Sequence, residues 1–207
     1  MADIEVKLDE KRLAEVQRML AGIPRAMPKV MSRGVNKTVT KARTDLTNRL
    51  AGKVALKKKF IRENIFMRKA SYKRWQATLT LGWWPINLKH FSARQTKKGV
   101  TYKIDKTGKR QLLTHAFILE QFGGNVFRRV TKGGGLVDRI KAAFGKDAPE
   151  QLVGRLPIEV RKGPSLKEVY NGDRALPSRT LKEAMANLNK NIDTQIKLIL
   201  DKRAAAS

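Results

Sequence analysis

His90 and His115 are the two side chains of this sequence best suited to proton transfer or metal ligation near neutral pH. They lie in different segments, with no His-Glu spacing and no carboxylate pair beside them, so the pattern supports neither a metal site nor a His-based triad. Ser165 follows Gly163 and Pro164. A nucleophile elbow needs glycines two residues either side of the serine, so Ser165 reads as a turn residue. The run Gly133, Gly134, Gly135 lacks the Lys-Ser or Lys-Thr pair of a phosphate-binding loop, and Lys146 after Gly145 is followed by Asp147. That run reads as a flexible loop. The absence of cysteine removes a thiol nucleophile, a disulfide framework and the commonest structural zinc ligand. The chemistry-bearing residues therefore point away from an enzyme and call for no cofactor or metal.

Charge is the stronger signal. The 207 residues carry 45 Lys and Arg against 18 Asp and Glu, a formal net charge of +27. Such a surface seeks a polyanion or an acidic protein. From Lys53 to Arg110 there are 17 cations and two acids, Glu63 and Asp105. Within that stretch Lys57, Lys58, Lys59, Arg62, Arg68, Lys69, Lys73, Arg74, Lys97 and Lys98 are the candidates to face DNA phosphates or an acidic partner. Phe66, Tyr72 and Trp75 interleave with them, which can mean base stacking, but the alternation that begins at Trp75 favours a core role. No helix-turn-helix, zinc-finger or RRM pattern indicates base-specific recognition. Trp83, Trp84 and Pro85, followed by Ile86 and Leu88, are more apolar than one strand face can bury; a subunit contact and an extended core are both open readings.

The elements that must position these residues follow from periodicity. Ile4, Val6 and Leu8 alternate with charged residues as a short strand, and Asp9 offers an N-cap to a helix carrying Leu13, Val16, Leu20 and Ile23, ended by Gly22 and Pro24. Met27, Val30, Met31, Val35, Val39, Ala42, Leu46 and Leu50 mark a long amphipathic helix ending near Gly52, and a shorter helix is expected from Val54 to Ile65. Trp75, Ala77, Leu79, Leu81 and Trp83 alternate as a strand, and Val100, Tyr102 and Ile104 as another; Ala116–Leu119 and Val126–Val130 are two more. A closing helix with a capping box at Thr180 and Glu183 carries Leu181, Met185, Leu188, Ile192, Ile196 and Ile199. The expected fold is α+β, a mostly antiparallel central sheet with two long amphipathic helices packed on one face, in a single elongated domain over residues 1–207 with a mobile loop or insertion at 131–154. Asp3, Glu5, Asp9 and Glu10, with no apolar run behind them, predict no secretory or transit segment, and no window reaches the roughly 18 apolar residues of a membrane span. Synthesis in the cytoplasm is the expectation.

Three segments, in order, resemble the prophage minor tail protein Z family. The first runs from Val35, Asn36, Lys37 and Thr38 through Arg43 and Leu50 to Lys57, Lys58, Lys59, Phe60 and Ile61. The second is His115, Ala116, Phe117, Ile118, then Gly124, Asn125, Val126, Phe127 and Arg128, similar to an "AFI … G … VF.R" signature. The third, Leu156, Pro157, Ile158, then Gly163, Pro164, Ser165, is similar to "PI … GPS" and precedes a terminal amphipathic helix. The resemblance spans roughly residues 25 to 200, and the order of the signatures is more specific than any one of them. Arg161 and Lys162 depart from the hydrophobic-aromatic pair expected before the GPS turn, and Lys132–Gly154 reads as an insertion. The resemblance implies a structural virion protein for tail completion and head-tail joining at the head-proximal end of a phage tail, with no catalytic residues to carry over. Its implied neighbours are the tail terminator or tube and the head-tail connector, in a homo-oligomeric ring, six copies by usual tail symmetry, around the DNA passage. Phe117, Gly124, Phe127, Pro157, Gly163 and Pro164, with Trp83 and Trp84, are then candidates for subunit contact or for setting the backbone. The competing expectation, from charge alone, is a non-specific nucleic-acid-binding protein of cytoplasmic origin.

Overall fold

The structure, a computed structural model, describes residues 3–129 and 158–205. The loop expected at 131–154, the glycine run within it, Leu156 and Pro157 lie outside the described residues. The fold is α+β, with five helices and three small antiparallel sheets among the described residues in place of the one sheet expected. The chain divides into two compact units, the first built from residues 1–52, 57–84 and 165–207 and the second from 53–56 and 85–164.

The first unit holds both long helices. The side chain of Asp9 caps α1 (Glu10–Met19) by accepting from the Glu10 N–H, and the helix ends before Gly22, whose φ of +81° sits in the left-handed region that glycine tolerates. The apolar stripe of α2 (Ala26–Lys53) is buried as its spacing requires: Val30, Val35, Val39, Leu46 and Leu50 are all at 0% exposure. Each such side chain contributes about 1.5–3 kcal/mol by leaving water. The expected Val54–Ile65 helix contracts to α3 (Lys58–Glu63), because Ile65 opens a strand, β2 (Ile65–Arg68). β2 and β1 (Asp3–Val6) flank β3 (Ala77–Leu81) in the order β1-β3-β2, with Ile4 opposite Leu79 and Ile65 opposite Leu81. The inward residues Ala77, Leu79 and Leu81 are buried, while Thr78 and Thr80 face outward. Trp75 and Trp83 fall beyond the ends of β3.

Ser165 is the N-cap of α4 (Leu166–Gly172) in a reciprocal capping box with Glu168. The box expected at Thr180 and Glu183 is absent there: α5 (Ala175–Ala204) starts a turn earlier, and the Thr180 hydroxyl donates back to the Leu176 carbonyl. Pro177 falls in the first turn, where a missing N–H costs nothing, so it does not delay the helix. α5 runs antiparallel to α2. Gly34 abuts Ile192, Asn191 donates to the Thr38 hydroxyl at 2.9 Å, Lys41 donates to Asn187 at 2.8 Å, and Arg49 pairs with Glu183. On another face of α2, Asn36 both accepts from the Ala70 N–H (2.8 Å) and donates to the Ala70 carbonyl (3.0 Å), fixing the chain beyond β2.

Among the described residues the second unit has two three-stranded sheets. β4 (Arg94–Thr96), β5 (Gly99–Tyr102) and β6 (Gln111–Thr114) form the first. Gly99 has a φ of +146°, and a Cβ there would lie 2.1 Å from the Leu113 carbonyl oxygen, so the pairing of β5 with β6 requires glycine. β7 (Ala116–Leu119), β8 (Asn125–Arg129) and β9 (Ile158–Val160) form the second, with Phe117 opposite Phe127 and Phe127 opposite Val160.

Candidate functional site: a basic face in the first unit

All ten candidate cations are exposed. The structure divides them, with Lys57, Lys58, Lys59, Arg62, Arg68, Lys69, Lys73 and Arg74 in the first unit and Lys97 and Lys98 in the second. Lys58, Lys59 and Arg62 are brought together on α3, beside Thr44, Thr47 and Asn48 of α2. These six residues line an open depression of about 270 Å³. Arg43 holds α3 in place from α2 by donating to the Arg62 carbonyl at 2.7 Å. The three α2 residues do not stand out in the sequence, although their spacing of three and four places them on one helix face, away from the apolar stripe. The hydroxyls of Thr44 and Thr47 donate back to the Thr40 and Arg43 carbonyls, at 3.2 Å and 2.7 Å, so the donors left for a phosphate oxygen are the Asn48 amide and the three guanidinium or ammonium groups of α3.

Three acids of this unit, Glu15, Glu183 and Asp193, are paired with cations other than the ten candidates. Arg49 and Arg179 bond Glu183, the latter at 3.2 Å, and these hydrogen bonds hold its carboxyl below the usual glutamate range. Arg12 bonds Glu15 and Asp193, which raises its pKa further above its ordinary value against the opposing effect of burial. Among the described residues, none of the ten candidate cations is in an ion pair. The basic face is therefore uncompensated by neighbours within the described chain, an arrangement whose self-repulsion a polyanion or acidic protein would relieve.

The aromatic candidates separate. Trp75 is half-buried and its indole N–H donates to the Tyr72 carbonyl at 2.8 Å. Trp83 and Trp84, by contrast, are exposed, and Trp84 packs against Phe66 at 5.6 Å between ring centroids. In the second unit Phe117 and Phe127 stack at 6.3 Å, Phe122 meets Phe127 edge-on, and Arg129 lies over the Phe117 ring. Phe127 is buried by these contacts.

The glycines and prolines set backbone in two ways. Gly123 and Gly124 take left-handed φ values of +69° and +70° between β7 and β8. Gly163 does not share that conformation; a Cβ there would meet the Phe91 ring at 2.8 Å, and Phe91 is wholly buried, so space is its requirement. Pro164 leads into the capping box of α4.

Of the chemically suggestive residues, Ser165 has its hydroxyl committed to the Glu168 N–H at 3.1 Å. His115 is exposed between β6 and β7 with a φ of +58°, and His90 closes a short 3-10 turn, Leu88–His90. Among the described residues no three His, Cys, Asp or Glu side chains are grouped so as to hold a metal ion, and no helix is long and apolar enough to cross a membrane.

The family described as Prophage minor tail protein Z (GPZ) matches residues 11–202. No curated protein and no solved structure matches the chain.

Proposed function

The chain belongs to the prophage minor tail protein Z family, a family of phage tail proteins, and on that premise we propose that it is a tail-completion subunit acting at the head-proximal end of the tail. In this reading copies of the chain form a ring around the DNA passage, six by the usual symmetry of tails, between the tail terminator or tube and the head-tail connector. It works as a structural part of the virion and not as a catalyst. The observation that carries the reading is the uncompensated basic face, with Lys58, Lys59 and Arg62 gathered over Thr44, Thr47 and Asn48. Contacts of that kind are to phosphates, independent of sequence, and hold DNA in register without reading it.

Electron microscopy of particles assembled without this protein tests the proposal. DNA-filled heads and separate tails that fail to join are expected. Normal joined virions would remove it.

A further inference from the structure

We propose that Phe66, Trp83 and Trp84 form the apolar centre of a docking surface for an acidic protein partner, an inference that goes beyond any DNA contact of the neighbouring helix. The three rings are contiguous on the first unit: Phe66 and Trp84 are 5.6 Å apart and tilted by 56°, Trp83 and Trp84 6.3 Å apart and nearly edge-on at 72°. Their exposures are 48% for Phe66, 71% for Trp83 and 39% for Trp84, whereas Ile65, Leu79 and Leu81 of the same sheet are at 2% or less. The inward face of the sheet is thus already filled, and the aromatics are surplus to the core. A contiguous exposed apolar group rimmed by polar residues marks an interaction site, and tryptophan held by its neighbours gives large contact area at little ordering cost.

The rim identifies the partner. From Lys53 to Trp84 there are nine Lys or Arg and one acid, Glu63, and although the register sets Glu5 on the same outward sheet face, it lies on β1, across β3 from Phe66, and accepts from the Gln76 amide. Arg68 shares the outward face of β2 with Phe66, two residues along. Lys167 is anchored next to Trp83, since its N–H donates to the Gly82 carbonyl at 3.2 Å. An apolar centre with a cationic rim is complementary to an apolar centre with an acidic rim. A second copy of this chain fails that criterion, because a two-fold contact through the same face would oppose cation to cation on chains of net charge +27. Single-stranded nucleic acid fits less well, since successive bases stack on roughly parallel faces and these rings are tilted by 56° and 72° to one another.

The test uses the full chain and a fluorescein-labelled amphipathic peptide of glutamate and leucine, about four helical turns long, with binding followed by anisotropy. Wild type should bind, and acrylamide should quench its tryptophans less in the complex. Trp83→Ser should weaken binding at least about tenfold, the minimum for a central tryptophan, without lowering the melting temperature. Arg68→Glu should also weaken it, and Leu198→Ser, at an exposed leucine on α5, should leave affinity unchanged. Failure of the wild type to bind, equal affinity for Trp83→Ser, or equal affinity for a peptide with serine in place of leucine would each overturn the proposal. So would self-association seen by sedimentation, or binding of oligo(dT), that Trp83→Ser abolishes. Joining of heads to tails in the particle experiment is a separate readout and can fail or succeed independently.

Discussion

Alanine at Gly34 and alanine at Gly52 should have opposite effects on stability, though both lie on α2. An added Cβ at Gly34 would sit 2.8 Å from Ile192 Cγ1 and 3.5 Å from its Cα. Carbon pairs settle at about 3.5–4.0 Å, so the first contact is well inside the repulsive wall. Ile192 cannot yield easily: it is wholly buried, and a β-branched side chain on a helix has essentially one χ1 rotamer. Separating the helices would relieve the clash but would stretch the Asn191–Thr38 hydrogen bond of 2.9 Å. Overpacking costs about 1–3 kcal/mol, and a contact this short against an immobile side chain belongs in the upper part, about 2–3 kcal/mol; alanine's better helix propensity returns roughly 0.8–1 kcal/mol, leaving a net loss of about 1–2 kcal/mol. Gly52 has nothing within 4 Å of its Cβ position, so there only the propensity gain remains. Urea unfolding followed by far-UV circular dichroism would show the midpoints moving apart, by roughly 0.5–1 M each at ordinary slopes. Ile192→Ala removes the clashing atom, so its combination with Gly34→Ala should cost less than the sum of the two by about 1 kcal/mol or more. A neutral or stabilising Gly34→Ala, or strict additivity with Ile192→Ala, would refute the close crossing of α2 and α5.

Glu183 has its carboxyl pKa lowered by hydrogen bonds from Arg49 and Arg179, so the folded chain holds fewer protons there than the unfolded one. That stabilisation is present at neutral pH and disappears as pH falls through the carboxylate range; Glu183→Gln should flatten the acid limb of melting temperature against pH, and an unchanged limb would count against the pairing. Ser165→Ala deletes the acceptor for the Glu168 N–H and should cost about 1 kcal/mol in a denaturation midpoint, while Ser165→Asp should retain most of the stability. Gly99→Ala should be harsher than Gly34→Ala, since the obstacle is the Leu113 backbone itself, and hydrogen exchange should show β5 and β6 unprotected; intact protection there would contradict the pairing. Replacing Lys58, Lys59 and Arg62 by glutamine should shallow the salt dependence of duplex DNA binding by about 2.7 in log–log slope, at roughly 0.9 for each phosphate no longer neutralised. An unaltered slope would remove these three residues from the DNA interface.

The helices are legible because their apolar residues recur over many turns. Val30, Val35, Val39, Leu46 and Leu50 define α2 against any local noise, and Leu188, Ile192 and Ile196 do the same for α5. Short strands carry less information. β4 reads Arg94, Gln95, Thr96, all exposed, and no pattern of burial announces it. β2 merges with the end of a helix in the sequence because Ile65 continues the spacing of Phe60 and Ile61, and the pairing of Ile65 with Leu81 is a long-range fact. Capping chemistry is visible in residue types but not in position: Thr180 and Glu183 have the right spacing, yet Glu183 is drawn to Arg49, while Ser165 and Glu168 close the real box. At the candidate site the cations are evident from composition. Their gathering over Thr44, Thr47 and Asn48 depends on the α2–α3 packing, and the outward turn of Trp83 depends on β3 stopping at Leu81.

The amide of Asn36 offers Ala70 what an adjoining strand would have offered, one donor and one acceptor, from a helix instead of a sheet. Polypeptide that arrived at this position looking for an unsatisfied main-chain group to template upon would find both already taken. Conversion of that amide to an acid, as in Asn36→Asp, would keep the bond from the Ala70 N–H but turn the donor into a second acceptor facing the Ala70 carbonyl, leaving that buried carbonyl without its partner.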